Sequence, residues 1–584
     1  MAKRKRKIRV GRLIIFIILF FGTAFLLAYG AKTLFTEVIP KDIIKTGYYA
    51  SNTANVTLVD SEFNEVNVVN RGDSFKYIEN IFITKENLKY YKLKDQDVYI
   101  LENNIVATKE ESVLETEKFV RTPVTIYKES NASYIESFIK KGETLEIIGF
   151  DYLIDGVVNK YNIRYNDVTG YVYAKYLVDT KEEALLKYDN GNLNKHAVRT
   201  NYYDKNEKAS DLDFYPYEKP SFIDNVMPDE TRTLYLNASN IADVDTFIEI
   251  AKEGNINAFV VDIKDGQLAY KSEVAKIYSP NDIGYHSIDG YKTAIKKLKD
   301  ANFYVIGRIC AFNDSAFASA NKDDALTLNG NLYKYSGIYW PTPYSRKMWE
   351  YNVELAKEAV TLFGFNEIQY DYVRFTDNVF SAIRNGVDLK NKYNENKSQV
   401  IQNFLFYACD ELHELNVYVS ADVFGESANG SSSSMSTSGY ITGYGQYWPA
   451  ISNVVDVISA MPYPDHFNKF EYGYTEPVWT TPYKLLKTWG SVAYARQMEA
   501  TTPARIRTWI QAYDTIREPY ITYGAQMVSD QIAGLYDAGL SDGYMTWNAW
   551  STPYKATKYR TLIPAFKKEY KWELTNLMKL NMNL

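Results

Sequence analysis

Gly364-Phe365-Asn366-Glu367-Ile368-Gln369-Tyr370-Asp371-Tyr372-Val373-Arg374-Phe375 is the stretch on which the fold turns. Upstream of it, Trp349 to Leu362 reads as a helix that runs into Gly364. A short apolar strand follows and breaks off into polar and aromatic groups. Helix, glycine, strand and polar break make one unit of a parallel α/β protein. In such proteins the carboxyl ends of the strands converge on one face, and their loops carry the chemistry. The stretch therefore predicts Asp371 at a strand end, flanked by Tyr370 and Tyr372, with Arg374 three residues on.

Outward from this unit, strands alternate with helices from about Arg232. The predicted strands are Leu234–Asn237, Ala258–Ile263, Tyr304–Ile309, Glu367–Tyr370, Val417–Ala421, Val457–Ala460, Thr508–Gln511 and Gly543–Thr546. Helical stretches are Asp243–Glu253, Ile288–Asp300, Ser345–Leu362, Lys397–Leu415, part of Pro503–Ile516, and Ser529–Ala538. Gly-Asn or Gly-Phe-Asn precedes strands two and four, where a helix C-cap belongs. Eight strands over residues 232–567 predict a (β/α)8 TIM barrel with loop insertions. Thr508–Gln511 has the most ambiguous flanks. A doubly wound open sheet is the alternative, although no GxGxxG or Walker-type loop follows an early strand.

The chain as a whole reads as multidomain. Its 584 residues exceed one small domain. A net charge of −6 and a pI near 5.6 argue against a nucleic-acid partner. Aromatic content stands out at 15 %, with 52 Tyr and 9 Trp, whose flat faces and polar edges suit sugar rings as well as cores. Lys3, Arg4, Lys5, Arg6, Lys7, Arg9 and Arg12 precede an apolar run over residues 13–31. Roughly 19 residues at 1.5 Å each cross a bilayer core. The basic excess then keeps residues 1–12 cytoplasmic and sends the bulk outside, giving a single-pass protein of the cell membrane. Ala28-Tyr29-Gly30 leaves a cleaved signal peptide open as the rival to an uncleaved transmembrane anchor.

Two segments of short alternating strands and glycine turns follow, over residues 50–115 and 120–179. The second, with Gly170-Tyr171-Val172 before Tyr176-Leu177, resembles a bacterial SH3-like domain, and the first is a more diverged version. Such modules bind wall polymers or act as spacers. Residues 180–231 are polar and irregular, a linker or an extended approach to the barrel, and 568–584 form a tail.

The predicted strand ends are rich in polar groups: Asp262 and Lys264, Arg308, Asp371 and Arg374, Asp422 and Glu426, Tyr463 to His466, Tyr513-Asp514, and Trp547-Asn548. Neighbouring carboxylates beside aromatics are what glycosidic cleavage requires. One attacks or stabilises the anomeric carbon, and another, kept protonated, gives a proton to the leaving oxygen. Arg232 to about Lys567 resembles a bacterial family of surface-attached glycoside hydrolase barrels. The matching residues are Val261-Asp262-Ile263-Lys264-Asp265, Gln369 to Phe375, Ser420 to Gly425 and Met461-Pro462-Tyr463-Pro464. That family is itself similar to the α-amylase and α-galactosidase barrels, in which a fourth-strand aspartate is the nucleophile. The resemblance thus implies Asp371 as nucleophile. The α-amylase pattern places a glutamate acid at the fifth strand end; here Asp422 comes first and Glu426 four residues later, so both stand as candidates.

The predicted substrate-binding set is Asp262, Lys264, Arg308, Tyr370, Arg374, Tyr463, Asp465, Trp547 and Asn548. Each has a plain structural reading as well. Asp371 could pair with Arg374, Asp262 with Lys264, and the tryptophans could pack the barrel rim. Ser431–Ser434, with Gly430 and Gly439, reads as a lid or a solvated insertion. Four scattered histidines, His196, His286, His413 and His466, and two isolated cysteines, Cys310 and Cys409, offer no metal spacing, so no metal or cofactor is expected. The cysteines read as buried free thiols, with one disulfide as the alternative. The expectation is an extracellular, membrane-anchored glycoside hydrolase whose partner is a cell-wall glycan or exopolysaccharide, working by a two-carboxylate, retaining mechanism. A non-catalytic wall-binding scaffold is the other reading. A deacetylase-type metal enzyme is disfavoured by the missing His/Asp cluster.

Overall fold

A computed structural model describes residues 10–34, 41–188, 212–429 and 444–570. The basic segment before Val10, residues 189–211, the Ser431–Ser434 loop and the tail after Tyr570 lie outside the described residues. The chain divides into two compact units. One comprises Met1–Thr116 with Gly149–Tyr161, the other Glu117–Ile148 with Asn162–Leu584.

The first unit opens with the helix Val10–Leu34. Within it, Val10–Leu27 has a mean hydropathy of 2.5 over 18 residues, long and apolar enough to cross a membrane or to serve as a signal sequence. A seven-stranded antiparallel sheet follows between Ile44 and Val106. Its core gathers Tyr49, Val56, Leu58, Phe75, Leu93 and Ile100, with Tyr49 stacked on Phe75 at 4.0 Å.

The second unit contains a further β-rich module and the barrel. The module's residues meet the barrel through polar groups. Tyr176 donates to Asp410 (2.7 Å), Tyr173 to Glu414 (2.6 Å) and Ser133 to Glu411 (2.6 Å), while the Glu350 carboxylate accepts from the Ile135 amide (2.6 Å).

Among the described residues the barrel alternates eight strands with eight helices, and shorter helices lie in some of the loops. Its strands are β1 (Thr231–Leu236), β2 (Ala258–Asp265), β3 (Tyr304–Cys310), β4 (Glu367–Asp371), β5 (Tyr418–Phe424), β6 (Val457–Met461), β7 (Thr508–Gln511) and β8 (Gly543–Trp547). The helices are α1 (Val244–Glu253), α2 (Ile288–Asp300), α3 (Arg346–Phe363), α4 (Lys397–His413), α5 (Trp448–Ser452), α6 (Pro482–Gln497), α7 (Ala525–Asp537) and α8 (Tyr554–Phe566). Nine parallel strands run in the order Arg505–Ile506, β6, β5, β4, β3, β2, β1, β8, β7. The two ends of this sheet are consecutive in the chain and separated only by Arg507, so the sheet is a nearly closed barrel. Neighbours follow chain order, which rules out the doubly wound alternative.

Local chemistry sets these boundaries. Gly364 closes α3 in the left-handed conformation (φ 72°), its amide bonded to the Val360 carbonyl at 2.8 Å. Before β2 the left-handed residue is Asn255 (φ 56°), not the preceding Gly254. Part of Pro503–Ile516 was expected to be helical, but it forms Arg505–Ile506 and β7. The helix between β6 and β7 is α6, which begins at Pro482, a favoured first position. Its buried Leu485, Leu486, Trp489 and Ala493 are mixed with Tyr, Gly and Ala, which blurs the helical periodicity in the sequence. Cys310 and Cys409 are both free and buried.

Inside the barrel, inward side chains stack in layers. Tyr235, Ala258, Val260, Tyr304, Ile306, Tyr418, Val457, Trp509 and Met545 form the core. Near the amino ends of the strands, Glu367 accepts from Arg507 at 2.9 and 3.1 Å, and Tyr304 donates to the same carboxylate at 3.1 Å. The segment before β1 is not loose where it is described. Phe222 and Met227 pack into the core, Asn225 donates to the Asn366 and Asn416 carbonyls, and Lys219 donates to those of Ser452, Asn453 and Val455. This strap closes the floor of the barrel.

Candidate active site

β4 places Glu367, Gln369 and Asp371 on one side by strand alternation, with Asp371 uppermost. Its neighbours are in register: Arg308 of β3 lies beside Gln369, and Ser420 of β5 lies on its other side. Asp262 of β2 sits beside Arg308. Four strands thus deliver Asp262, Arg308, Asp371 and Asp422 to the barrel mouth.

Arg308 is the hub. It donates to Asp262 at 2.7 Å and to Asp371 at 2.5 and 3.1 Å, and it lies 3.4 Å from Asp265 and 4.0 Å from Asp422. Its guanidinium faces the rings of Trp547 (5.2 Å) and Tyr235 (5.6 Å), which stack on each other at 4.5 Å. Tyr235 donates to Asp262 at 2.6 Å. Burial pushes the Asp262 carboxyl up to about 6 against the pull of Arg308.

Asp422 has a different environment. Trp509 donates to its Oδ1 at 2.8 Å, while its Oδ2 accepts no hydrogen bond and the residue is 1 % exposed. Burial first, and the negative charge of Asp371 second, hold its pKa well above the ordinary carboxylate range; Arg308 and Trp509 oppose the shift. Lys555, on α8, lies over the Tyr235 ring at 4.5 Å and donates to Asn240 at 2.5 Å. Burial lowers its pKa to about 7.

Asp262, Arg308, Asp371, Asp422 and Trp547 come together in this cluster, with Tyr463 buried in the same core. The other expected residues lie elsewhere. A bulge after Asp262 turns Lys264 away from the mouth, to Asp314 (2.8 Å) and Asn352 (3.0 Å), so the expected Asp262–Lys264 pair does not form. Tyr370 alternates outward and packs on Phe404 of α4. Arg374 pairs with Asp377 at 2.8 Å, beside the Phe424 ring, and not with Asp371. Glu426 is exposed on the turn after β5 and accepts from Tyr444 at 3.1 Å. Asp465 accepts from the Ile516 amide (2.8 Å), and Asn548 donates to the Ala512 carbonyl (3.1 Å), so both tie loops together. The sequence reading did not single out Tyr235, Trp509 or Lys555. The first two are aromatic residues inside strands and look like core, and only the outcome of alternation brings them to the cluster.

A family model described as "Putative glycosyl hydrolase domain" matches residues 233–553. The chain belongs to this family. Its glycosyl hydrolase domain spans β1 to the start of α8 and contains every residue of the Arg308 cluster, Lys555 excepted. Comparison with curated proteins returns no match. Among solved structures, the chain is similar to a hypothetical protein from Ruminiclostridium thermocellum ATCC 27405, at 31 % identity over 32 % of this chain and 97 % of that one, with a TM-score of 0.28. It is also similar to the PgaB (BpsB) glycoside hydrolase domain from Bordetella bronchiseptica, at 11 % identity over 57 % and 99 %, with a TM-score of 0.39. A third is the β-N-acetylhexosaminidase from Bacteroides fragilis NCTC 9343, at 12 % identity over 61 % and 70 %, with a TM-score of 0.37.

Proposed function

We propose that this glycosyl hydrolase domain cleaves a cell-wall glycan or exopolysaccharide outside the membrane, anchored by Val10–Leu34, through a retaining mechanism on Asp371 and Asp422. The observation that carries the reading is the contrast between the two carboxyls. Asp371 is ion-paired with Arg308 and serves as the nucleophilic anion. Asp422 is buried, has a raised pKa and keeps Oδ2 free of hydrogen bonds, 4.0 Å from Arg308, which suits a proton donor. β4 and β5 are neighbours in the sheet, and adjacent strands lie about 4.8 Å apart. Both carboxyls also reach the one Arg308 guanidinium, Asp371 at 2.5 Å and Asp422 at 4.0 Å, a proximity in keeping with the roughly 5–5.5 Å separation of retaining pairs. In the forward step Asp371 attacks the anomeric carbon while Asp422 protonates the departing glycosidic oxygen. In the second step the Asp422 carboxylate takes a proton from water, which displaces Asp371 and retains the configuration. Trp509 and Arg308 fix the two carboxyls in place throughout.

A second reading of the proton donor has its own support: burial pushes the Glu426 carboxyl up from its ordinary value on the turn after β5, and Asp422 then only orients Asp371. The two readings separate in one experiment. The chain from Lys41 is incubated with bacterial walls and polysaccharides beside Asp371→Asn, Asp422→Asn and Glu426→Gln, and products are identified by mass spectrometry. Asp371→Asn is expected to abolish release. The true acid variant is expected to lose about 10²–10⁴-fold in rate on natural linkages and to recover on aryl glycosides, whose leaving group needs no proton. Equal release by wild type and Asp371→Asn would remove the catalytic reading, and polymer binding without release would favour the scaffold.

A further inference from the structure

The first compact unit carries a hairpin whose outer half its own core does not use. Strands Ser74–Lys85 and Leu88–Leu93 pair out to a two-residue turn, Glu86-Asn87, with both residues in the left-handed region at φ 54° and 68°. Such a turn matches the right-handed twist of the strands it joins. Phe75 and Ile78 of the longer strand are buried. Beyond them the register shifts between Ile78 and Phe82, and residues 82–85 pair with 88–91 as a separate arm, none of which belongs to the core around Leu58 and Phe75. The arm shows Phe82 (46 % exposed) and Leu88 (42 %) to solvent. Phe82 packs on Tyr91 at 5.8 Å with Lys89 over its face at 5.3 Å, and Lys85 lies over the Phe63 ring at 5.2 Å.

The base of this arm is also where the chain enters the sheet from the helix Val10–Leu34. The Ile43 amide donates to the Asn80 side-chain oxygen at 2.9 Å, and the Ile43 carbonyl accepts from the Glu79 amide at 2.8 Å. Ile43 and Ile44 are half-exposed there, against the bulge that carries the exposed Ile81. Nine residues separate the end of the helix at Leu34 from Ile44. At about 3.4 Å each they span roughly 30 Å at most. The four paired positions of the arm add about 13 Å, at about 3.3 Å per residue. A chain held in a bilayer by that helix therefore keeps the arm within reach of the bilayer surface.

We infer that this arm, with the isoleucines at its base, is a second membrane contact, an apolar tip that enters the interface of a lipid bilayer. The inference rests on the reading that Val10–Leu34 anchors the chain. Apolar groups flanked by lysines suit that interface, because the apolar body meets the acyl boundary while the ammonium stays among the headgroups. Glu86 is the single acid among residues 82–91, against Lys85 and Lys89, so the contact draws on apolar burial more than on charge. A short tether also raises the local concentration of lipid, so a weak intrinsic affinity is enough to fill the contact in the anchored chain. The tether is what favours a bilayer over a protein partner: it brings lipid to this patch in every anchored molecule.

The test uses the chain from Lys41. The span Val10–Leu27 buries none of its residues against the rest of the chain, so leaving it out takes nothing from either core. The protein is mixed with vesicles of phosphatidylcholine, alone or with phosphatidylglycerol, and the bound fraction is read by flotation. Partition is expected into both, stronger by less than about tenfold with the anionic lipid. Phe82→Ser with Leu88→Ser is expected to lower it about tenfold or more. Ile43→Ser, outside the hairpin, is expected to lower it severalfold. Ile154→Ser with Val157→Ser is the control: both residues are exposed, but their hairpin packs just before the long strand begins, where Arg71 donates to the Gly156 carbonyl at 2.6 Å. This pair is expected to leave partition unchanged. No partition by the parent, an equal loss in the control, or binding confined to anionic vesicles would overturn the contact. So would self-association of the parent that the Phe82 and Leu88 changes abolish, since that would make the arm an interface between two copies. Anchoring is scored separately, on the full chain in cell membranes washed with alkaline carbonate. If the wash releases the chain while the vesicle results hold, the anchor reading fails and the arm's contact with lipid stands.

Discussion

Asp262, Asp265, Asp371 and Asp422 all approach the single guanidinium of Arg308, at 2.7, 3.4, 2.5 and 4.0 Å, so the cluster carries more negative charge than its cation can balance. Holding a proton on Asp422 relieves part of that excess. The stability consequence has a definite sign. A carboxyl whose pKa is higher in the folded chain than in the unfolded one stabilises the fold at low pH, and that contribution is lost as pH rises through the folded value. For Asp262 the window runs from the ordinary 3.8 to about 6, and the Asp422 window likewise opens upward from 3.8. Asp422→Asn should therefore unfold at the same temperature as wild type or above it at pH 8, with a flatter decline between pH 5 and pH 8, while losing activity. Thermal unfolding followed by circular dichroism at the two pH values checks this; a variant several degrees less stable at pH 8 would show that the charged form of Asp422 is the favoured one. Arg308 was legible as a polar group at a strand end and was assigned to substrate, whereas the fold pairs it with carboxylates of the chain itself. Lys264 was misread as facing Asp262, because a bulge that reverses a side chain leaves no mark in the residue pattern.

Among the elements, most strands were read to within two residues, since their apolar runs are bounded by polar breaks, although β1 starts three residues earlier and β5 ends three later than expected. β7 matched at both ends, Thr508 to Gln511, despite its ambiguous flanks. α6 was missed and its neighbourhood misassigned, because a helix buried on more than one side has no clear amphipathic stripe. The α3–β4 junction offers a direct test of why the decisive stretch folds as it does. Gly364 sits at φ 72°, and a Cβ there would meet only the flexible end of Lys299, at 2.8 Å from Nζ. The cost of Gly364→Ala is then mainly that of placing an L-residue in the left-handed region, about 1 kcal/mol. A fall of about 1–2 °C in the unfolding midpoint is expected, as suits a barrel of this size. A drop many times larger would mean that the junction is crowded beyond what its backbone shows.

For the molecule as a whole, the module of the second unit is bound to α4 by groups that cannot be left unpaired at no cost. Asp410 is buried between Lys175, at 2.5 Å, and Tyr176. A chain begun at Lys181 strands that carboxylate and uncovers Tyr407, whose hydroxyl donates to the Ser133 carbonyl at 2.6 Å. Hydrogen bonds to charged groups contribute about 1.5–3 kcal/mol each, so this shortened chain should melt several degrees below one begun at Lys41. Equal midpoints in differential scanning calorimetry would reduce the module to a passenger. The strap has a different consequence, one of timing. Lys219 and Asn225 are synthesised before every strand of the barrel, yet the carbonyls they bind, from Asn366 to Val455, emerge from the ribosome long afterwards. The first segment of the domain to be made is therefore among the last to be secured. Until residue 455 has been translated, Phe222 and Met227 are apolar groups without a floor to close.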